Sequence, residues 1–100
     1  MANITFSSPF TKSFTHSDAT VGTAASEILA PTTNSHDRRV MLIVQNKHAT
    51  ATIQVIFASS GSSGILLMPQ QSLSIENYNG AVRAIASAAA TPVHLAYSLV

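Results

Sequence analysis

Short apolar runs alternate with polar turn signals along most of the chain. The most apolar run covers residues 39–46, and residues 53–57, 71–76 and 93–99 largely alternate between apolar and polar side chains. A continuous apolar run is typical of a central strand, and alternation with a period of two is typical of half-buried strands. Turn signals such as Asn79-Gly80 separate the runs about every 8 to 12 residues. The pattern predicts a small antiparallel β-sandwich of about seven short strands, jelly-roll or immunoglobulin-like, without a helix.

The first 20 residues differ from the rest because their large apolar side chains stand among Ser, Thr and Pro. Phe6, Phe10 and Phe14 are half of the six aromatic residues of the chain. All three occupy even positions, so an extended segment places them on one side. Pro9 also disfavours the helical conformation at the residue before it. We therefore predict an extended N-terminal arm over residues 1–20 and a β-sandwich domain over residues 21–100.

The three phenylalanines of the arm are candidate protein contacts. Large exposed apolar side chains usually mark a surface that another group covers. Either Phe6, Phe10 and Phe14 pack back on the sandwich, or they lie on another chain.

Composition favours an assembly subunit over a free monomer. Only 9% of the 100 residues are charged, while Ser and Thr make up 24 residues and Ala another 15. Average soluble domains carry roughly 25% charged residues. The surface is therefore rich in hydroxyl groups and small side chains, as expected where neighbouring subunits cover it. The chain also has no cysteine, so oligomerisation is the remaining common way to stabilise one small core.

The distribution of charge argues against a nucleic-acid partner. Five basic residues are scattered along a chain of net charge +1, whereas nucleic-acid binding needs a clustered basic face. The N-terminus has no signal-peptide pattern. The apolar runs are also far shorter than the ~20 residues of a membrane span. We expect a soluble protein without a membrane partner.

No segment has a pattern typical of an active site, a metal site or a cofactor site. The four histidines share no ligand spacing, and thiolate ligands are absent. The segment 61–64 is one residue short of a nucleophile elbow and is typical of a loop. No glycine loop with a phosphate-binding lysine occurs, and the four carboxylates have no local pairing. We expect no enzymatic activity, no metal and no cofactor.

Arg38, Arg39 and Tyr78 are further candidate contacts. The two arginines follow Asp37 in the one charge cluster of the sequence. They either reach an acidic surface or a neighbouring subunit, or open the central strand and stay solvated. Tyr78 stands between two asparagines. It is either an aromatic platform for a glycan or a plain hairpin-turn residue.

Six segments follow one another in a characteristic order between residues 21 and 100. They are 24–29 (AASEIL), 39–46 (RVMLIVQN), 53–57 (IQVIF), 64–69 (GILLMP), 71–75 (QSLSI) and 80–86 (GAVRAIA). In this order the sequence resembles small virion structural proteins of tailed bacteriophages, which occur on heads as decoration or fibre-base subunits and among tail components. One departure is Gln70, which stands in the turn after Pro69 where such sequences often have Gly.

The resemblance implies a small β-sandwich repeated many times on a particle. We expect a non-enzymatic virion structural protein, namely a capsid decoration or cement subunit that self-associates and docks on the head shell through its arm. Its partners would be other copies of itself and the major capsid protein. It would reside in the virion after assembly in the host cytoplasm. The alternative is a receptor- or carbohydrate-binding module of a phage fibre or tail.

Overall fold

The computed structural model describes residues 14–32 and 38–99. These ranges contain eight strands, one more than the sequence predicts. They contain no helix, and therefore no helix that is long and apolar enough to cross a membrane. The strands are β1 (Phe14–Val21), β2 (Ser26–Leu29), β3 (Arg39–Asn46), β4 (Ile53–Ile56), β5 (Ile65–Leu67), β6 (Ser72–Glu76), β7 (Val82–Ala86) and β8 (Thr91–Leu99).

The strands form two antiparallel sheets of four strands each. The first sheet has the order β1-β8-β3-β6, and the second has the order β2-β7-β4-β5. All strand pairs are antiparallel. Eight antiparallel strands in this order form a jelly roll. The predicted all-β sandwich is therefore confirmed, and the jelly roll is the type that the topology matches.

The core lies between the sheets and consists of small and medium aliphatic side chains. Alternation along β3 buries Leu42 and Val44, while Ile43 between them is half-buried on the other face. The same period of two applies along β7 and along the first half of β8, from Thr91 to Leu95, whereas Ala96 and Ser98 are the buried positions after it. The buried cluster comprises Val21, Leu42, Val44, Ile53, Val55, Leu67, Val82, Ala84, Ala86, Val93 and Leu95.

Residues 14–20, assigned to the arm from the sequence, form most of the edge strand β1. This strand pairs with β8 from Phe14, opposite Ser98, to Val21, opposite Thr91. Val21 is fully buried and Ala19 packs against the core, whereas Asp18 is exposed. The sandwich thus already includes Phe14. The other two arm residues, Phe6 and Phe10, lie outside the described residues.

Candidate functional site

The exposed large apolar side chains of the described residues lie together on β5 and just after it. Ile65 and Leu66 are each 54% exposed and Met68 is 50% exposed. We call these three residues the apolar edge. Strand β5 pairs with β4 on one side, and no described strand lies on its other side. A free edge with apolar side chains is a template for pairing with another chain.

Strand β5 also differs from the other three edge strands in its charge. Strand β1 carries Asp18, β2 carries Glu27 and β6 carries Glu76, whereas no Asp, Glu, Lys or Arg occurs in residues 48–75. Edge strands are commonly protected against pairing by charged side chains. The apolar edge lacks this protection, so it is the candidate functional site.

The beginning of β5 is fixed by a close backbone approach. The N–H of Gly64 donates to Oε1 of Gln54 at 3.0 Å. A Cβ atom on Gly64 would lie 2.2 Å from the carbonyl oxygen of Val55, so only glycine fits without a backbone shift. The loop therefore enters the strand along one defined path.

A buried asparagine fixes the end of β5. Asn46 is fully buried, and its Nδ2 group donates to the carbonyl oxygens of Ala51 at 2.8 Å, Leu67 at 3.3 Å and Met68 at 3.2 Å. The amide of Met68 donates to Oε1 of Gln71 at 3.0 Å. The bonds from Asn46 join the end of β5 to β3. They hold the backbone at the apolar edge in one conformation.

The turn after β5 keeps the conformation that glycine usually adopts. The N–H of Gln71 donates to the carbonyl oxygen of Met68 at 3.0 Å, and Gln70 has a φ of 66°. Pro69 in the second position and a positive φ in the third are the features of a type II turn. Gln70 thus takes the place of the expected Gly without changing the type of turn.

Arg39 points into the protein because of a β-bulge. The register between β3 and β8 shifts between Arg39 and Met41, so that Arg39 lies opposite Leu99 while Met41 lies opposite Ser98. A bulge of this kind turns a side chain to the other face of the sheet. Arg39 is consequently only 2% exposed. It is neither the solvated residue nor the surface contact that the sequence indicated, whereas Arg38 is exposed.

The guanidinium of Arg39 is held by carbonyl oxygens and an aromatic ring. Nη1 donates to the carbonyl oxygen of Gly80 at 3.1 Å, and Nη2 donates to that of Ala30. Its Cζ atom lies 6.0 Å from the centroid of the Tyr97 ring, within the range of a cation–π contact. Burial lowers the pKa of Arg39. The side chain therefore joins the ends of several strands.

Tyr78 is engaged within its own turn. Its hydroxyl donates to the carbonyl oxygen of Ala81 at 2.6 Å. Its ring packs edge-on against Phe57, with 5.3 Å between the centroids and an interplanar angle of 76°. A Cβ on Gly80 would lie 2.6 Å from the Tyr78 hydroxyl oxygen. These contacts favour the hairpin-turn role over an open platform for a glycan.

The structure brings several predicted contact residues to one end of the first sheet. Phe14 lies opposite Ser98 and Arg39 lies opposite Leu99. A depression of about 170 Å³ at this end is lined by Arg38, Arg39, Val40, Asn77 and Asn79. The apolar edge lies elsewhere, since Met68 contacts Asn46 at the other end of β3.

His16, Asp18 and His94 form a hydrogen-bonded row that sequence spacing did not indicate. His94 Nδ1 lies 2.7 Å from Asp18 Oδ1, and His94 Nε2 lies 2.9 Å from His16 Nδ1. The hydrogen bond from His94 lowers the pKa of Asp18. Only the pairing of β1 with β8 joins these residues, which are up to 78 positions apart. Within the described ranges no group of three or more His, Asp or Glu is arranged to hold a metal ion.

Comparison with known proteins gives a fold relationship. No protein-family model matches the chain, and no curated protein does. Among solved structures, the chain is similar to a protein of Bacillus endospore appendages, which are described as a novel family of disulfide-linked pili. The identity is 19%, the TM-score is 0.53, and the match covers 99% of this chain and 100% of that chain. At this identity the similarity shows a shared all-β sandwich fold.

Proposed function

We propose that the protein is a non-enzymatic structural subunit that assembles with copies of itself through the apolar edge. The observation that carries this proposal is three large apolar side chains, each at least 50% exposed, on and just after a free edge strand that has no charged residue. Fully burying one such side chain is worth roughly 1.5–3 kcal/mol. A strand added to β5 would also pair its remaining backbone groups.

As the setting of this assembly we propose the surface of a bacteriophage head, with the major capsid protein as a second partner. The resemblance of residues 21–100 to small virion proteins of tailed bacteriophages supports this setting. The jelly-roll topology also supports it, since this fold recurs in viral capsid proteins. A surface with few charges is suited to a subunit that is covered by neighbours on a particle.

The second candidate setting is a filament. Its support is the fold similarity to the protein from disulfide-linked pili, which extends over 99% of this chain. The present chain contains no cysteine, so a filament of these 100 residues would depend on non-covalent contacts. The receptor- or carbohydrate-binding alternative has less support, because Tyr78 already makes contacts within the turn.

The proposal is tested by measuring self-association of the purified protein and a charged variant of the apolar edge. Leu66→Lys places an ammonium group on β5 at a position that is 54% exposed, so the core is left intact. Ser62→Lys in the exposed neighbouring loop adds the same charge and serves as the matched control. We expect the unchanged protein and S62K to form assemblies by analytical ultracentrifugation, and L66K to sediment as a monomer.

Two results would contradict the proposal. One is a wild-type protein that stays monomeric at millimolar concentration, and the other is an L66K variant that assembles as well as S62K. Electron microscopy of the assemblies and of decorated heads then separates the two settings. Open filaments of the protein alone favour the second setting, and saturable binding to heads favours the first.

A further inference from the structure

We propose that the apolar edge is covered by residues 1–13 of a second copy, which add to β5 as a further strand. This inference rests on the proposed function and names the partner of the same site. Four independent features of the chain support it: side-chain period, charge, position and length.

The side chains of the two segments have the same period. Leu66 and Met68 are exposed, whereas Leu67 between them is buried, so these two exposed residues share one face, while Ile65, which is also exposed, begins the strand on the face of Leu67. In the segment 1–13, Ile4 and Phe6 are likewise two positions apart, and Phe10 follows at another even position. An added strand would therefore place its apolar side chains beside those of β5.

The two segments are also compatible in charge. Residues 48–75, which include all of β5, contain no Asp, Glu, Lys or Arg. The segment 1–13 contains Lys12 as its single charged side chain. No like charges would oppose each other across the added strand pair. The other three edge strands each carry a carboxylate, which disfavours the burial of an apolar strand beside them.

The topology favours a second copy over the same copy as the source of the segment. Strand β1 begins at Phe14 and packs across the sandwich against β2 and β7. Strand β5 is at the other edge of the second sheet, with β7 and β4 between it and β2. Phe14, where the described part of the chain begins, therefore lies on the side of the sandwich away from β5, so the apolar edge of a second copy is the more direct acceptor.

The length of the segment is sufficient for a contact between copies. Thirteen extended residues reach roughly 43–47 Å, and the sandwich has extents of 38 × 38 × 18 Å. Because the donor segment and the acceptor strand are different surfaces, the contact is heterologous. Repeated contacts of this kind form a ring if the rotation closes, and an open filament if it does not.

Disulfide trapping tests the inference, since the chain has no native cysteine. Ser8→Cys places a thiol in the segment, at an even position between Phe6 and Phe10, and Met68→Cys places one on the apolar edge. The two single variants are mixed, one of them labelled with ¹⁵N, and mildly oxidised. We expect the mixed S8C–M68C disulfide to exceed both symmetric disulfides. The matched control replaces M68C by S74C, on the exposed edge strand β6, and should give no excess of the mixed product.

Other outcomes would overturn the inference. Predominant M68C–M68C disulfides would mean that two β5 edges pair with each other. An internally closed monomer of the double variant S8C/M68C would mean that the segment covers its own edge. If wild type assembles and L66K does not, but no mixed disulfide forms, this inference alone fails. If wild type does not assemble, the proposed function fails as well.

Discussion

Arg39 places a cation inside the sandwich, and among the described residues no carboxylate pairs with it. Its charge is instead distributed over the carbonyl oxygens of Ala30 and Gly80 and the ring of Tyr97. Ala30 follows β2 and Gly80 precedes β7. One side chain of β3 therefore connects the ends of strands from both sheets. The planar guanidinium suits this role because its N–H groups point in several fixed directions.

Replacing this guanidinium by an ammonium group should destabilise the fold. We expect Arg39→Lys to lower the free energy of unfolding by about 1.5–3 kcal/mol, because a charge-assisted hydrogen bond is lost in a buried place. Urea denaturation followed by circular dichroism measures the change. The adjacent Arg38→Lys is the matched control, since Arg38 is exposed, and it should differ from wild type by less than about 0.5 kcal/mol. Equal stability of the two variants would contradict this role of Arg39.

At the scale of elements, the turn from Met68 to Gln71 carries a residue that is strained in its place. Gln70 has a φ of 66°, and a left-handed conformation costs an L-residue roughly 1–2 kcal/mol. Its side chain offsets part of this cost by donating to the carbonyl oxygens of Lys47 at 3.4 Å and His48 at 3.3 Å. Both bonds are long and exposed, so the offset is small.

Gln70→Gly should therefore raise the free energy of unfolding, by about 0.5–1 kcal/mol. Gln70→Ala is the informative comparison, because it removes the side-chain bonds and keeps the strain. We expect the order Gly above Gln above Ala in midpoints of thermal unfolding. A glycine variant less stable than wild type would show that the bonds to residues 47 and 48 outweigh the strain.

The strands with strong apolar patterns were predictable, and β1 was not. The central strand has the predicted bounds, 39–46, because its alternate residues fill the core. In β1 the inward positions include Ser17 and Ala19, and only Val21 is fully buried. Such a strand contributes little apolar surface, so its sequence resembles that of a polar arm. Its place in the sheet depends on backbone pairing with β8, which leaves no signal in the side chains.

The candidate site was only partly visible in the sequence for a related reason. The run Ile65 to Met68 indicates a strand, but a short apolar run does not distinguish a buried strand from an exposed edge strand. The order of the strands in the sheet decides whether such a strand is buried or exposed. Among the described strands β5 pairs only with β4, so it lies at the edge of its sheet. The inward turn of Arg39 likewise depends on a bulge, for which residues 38–41 show no local pattern.

At the scale of the whole molecule, the few charges are unevenly placed. The chain has 9% charged residues, and all of them lie outside residues 48–75. That stretch supplies β4, β5 and most of β6, and β5 and β6 are each an edge strand of one sheet. The side of the sandwich around the apolar edge therefore has no charged side chain on β4 or β5, and the guanidinium of Arg83 on β7 reaches the loop before β5, where Nη1 donates to the carbonyl oxygen of Gly61 at 2.8 Å. An interface on this side would be governed by apolar contact and backbone pairing, with little contribution from ion pairs.

This distribution predicts how self-association responds to salt. Raising NaCl from about 0.1 M to about 1 M shortens the screening length from roughly 10 Å to 3 Å and weakens contacts between surface charges. Apolar contacts do not depend on that screening, so we expect the association constant from analytical ultracentrifugation to stay constant or rise. A contact through Arg38 and an acidic partner would instead weaken progressively over the same range. Dissociation of the assemblies at high salt would therefore contradict an interface at the apolar edge, and loss of association in L66K at both salt concentrations would support it.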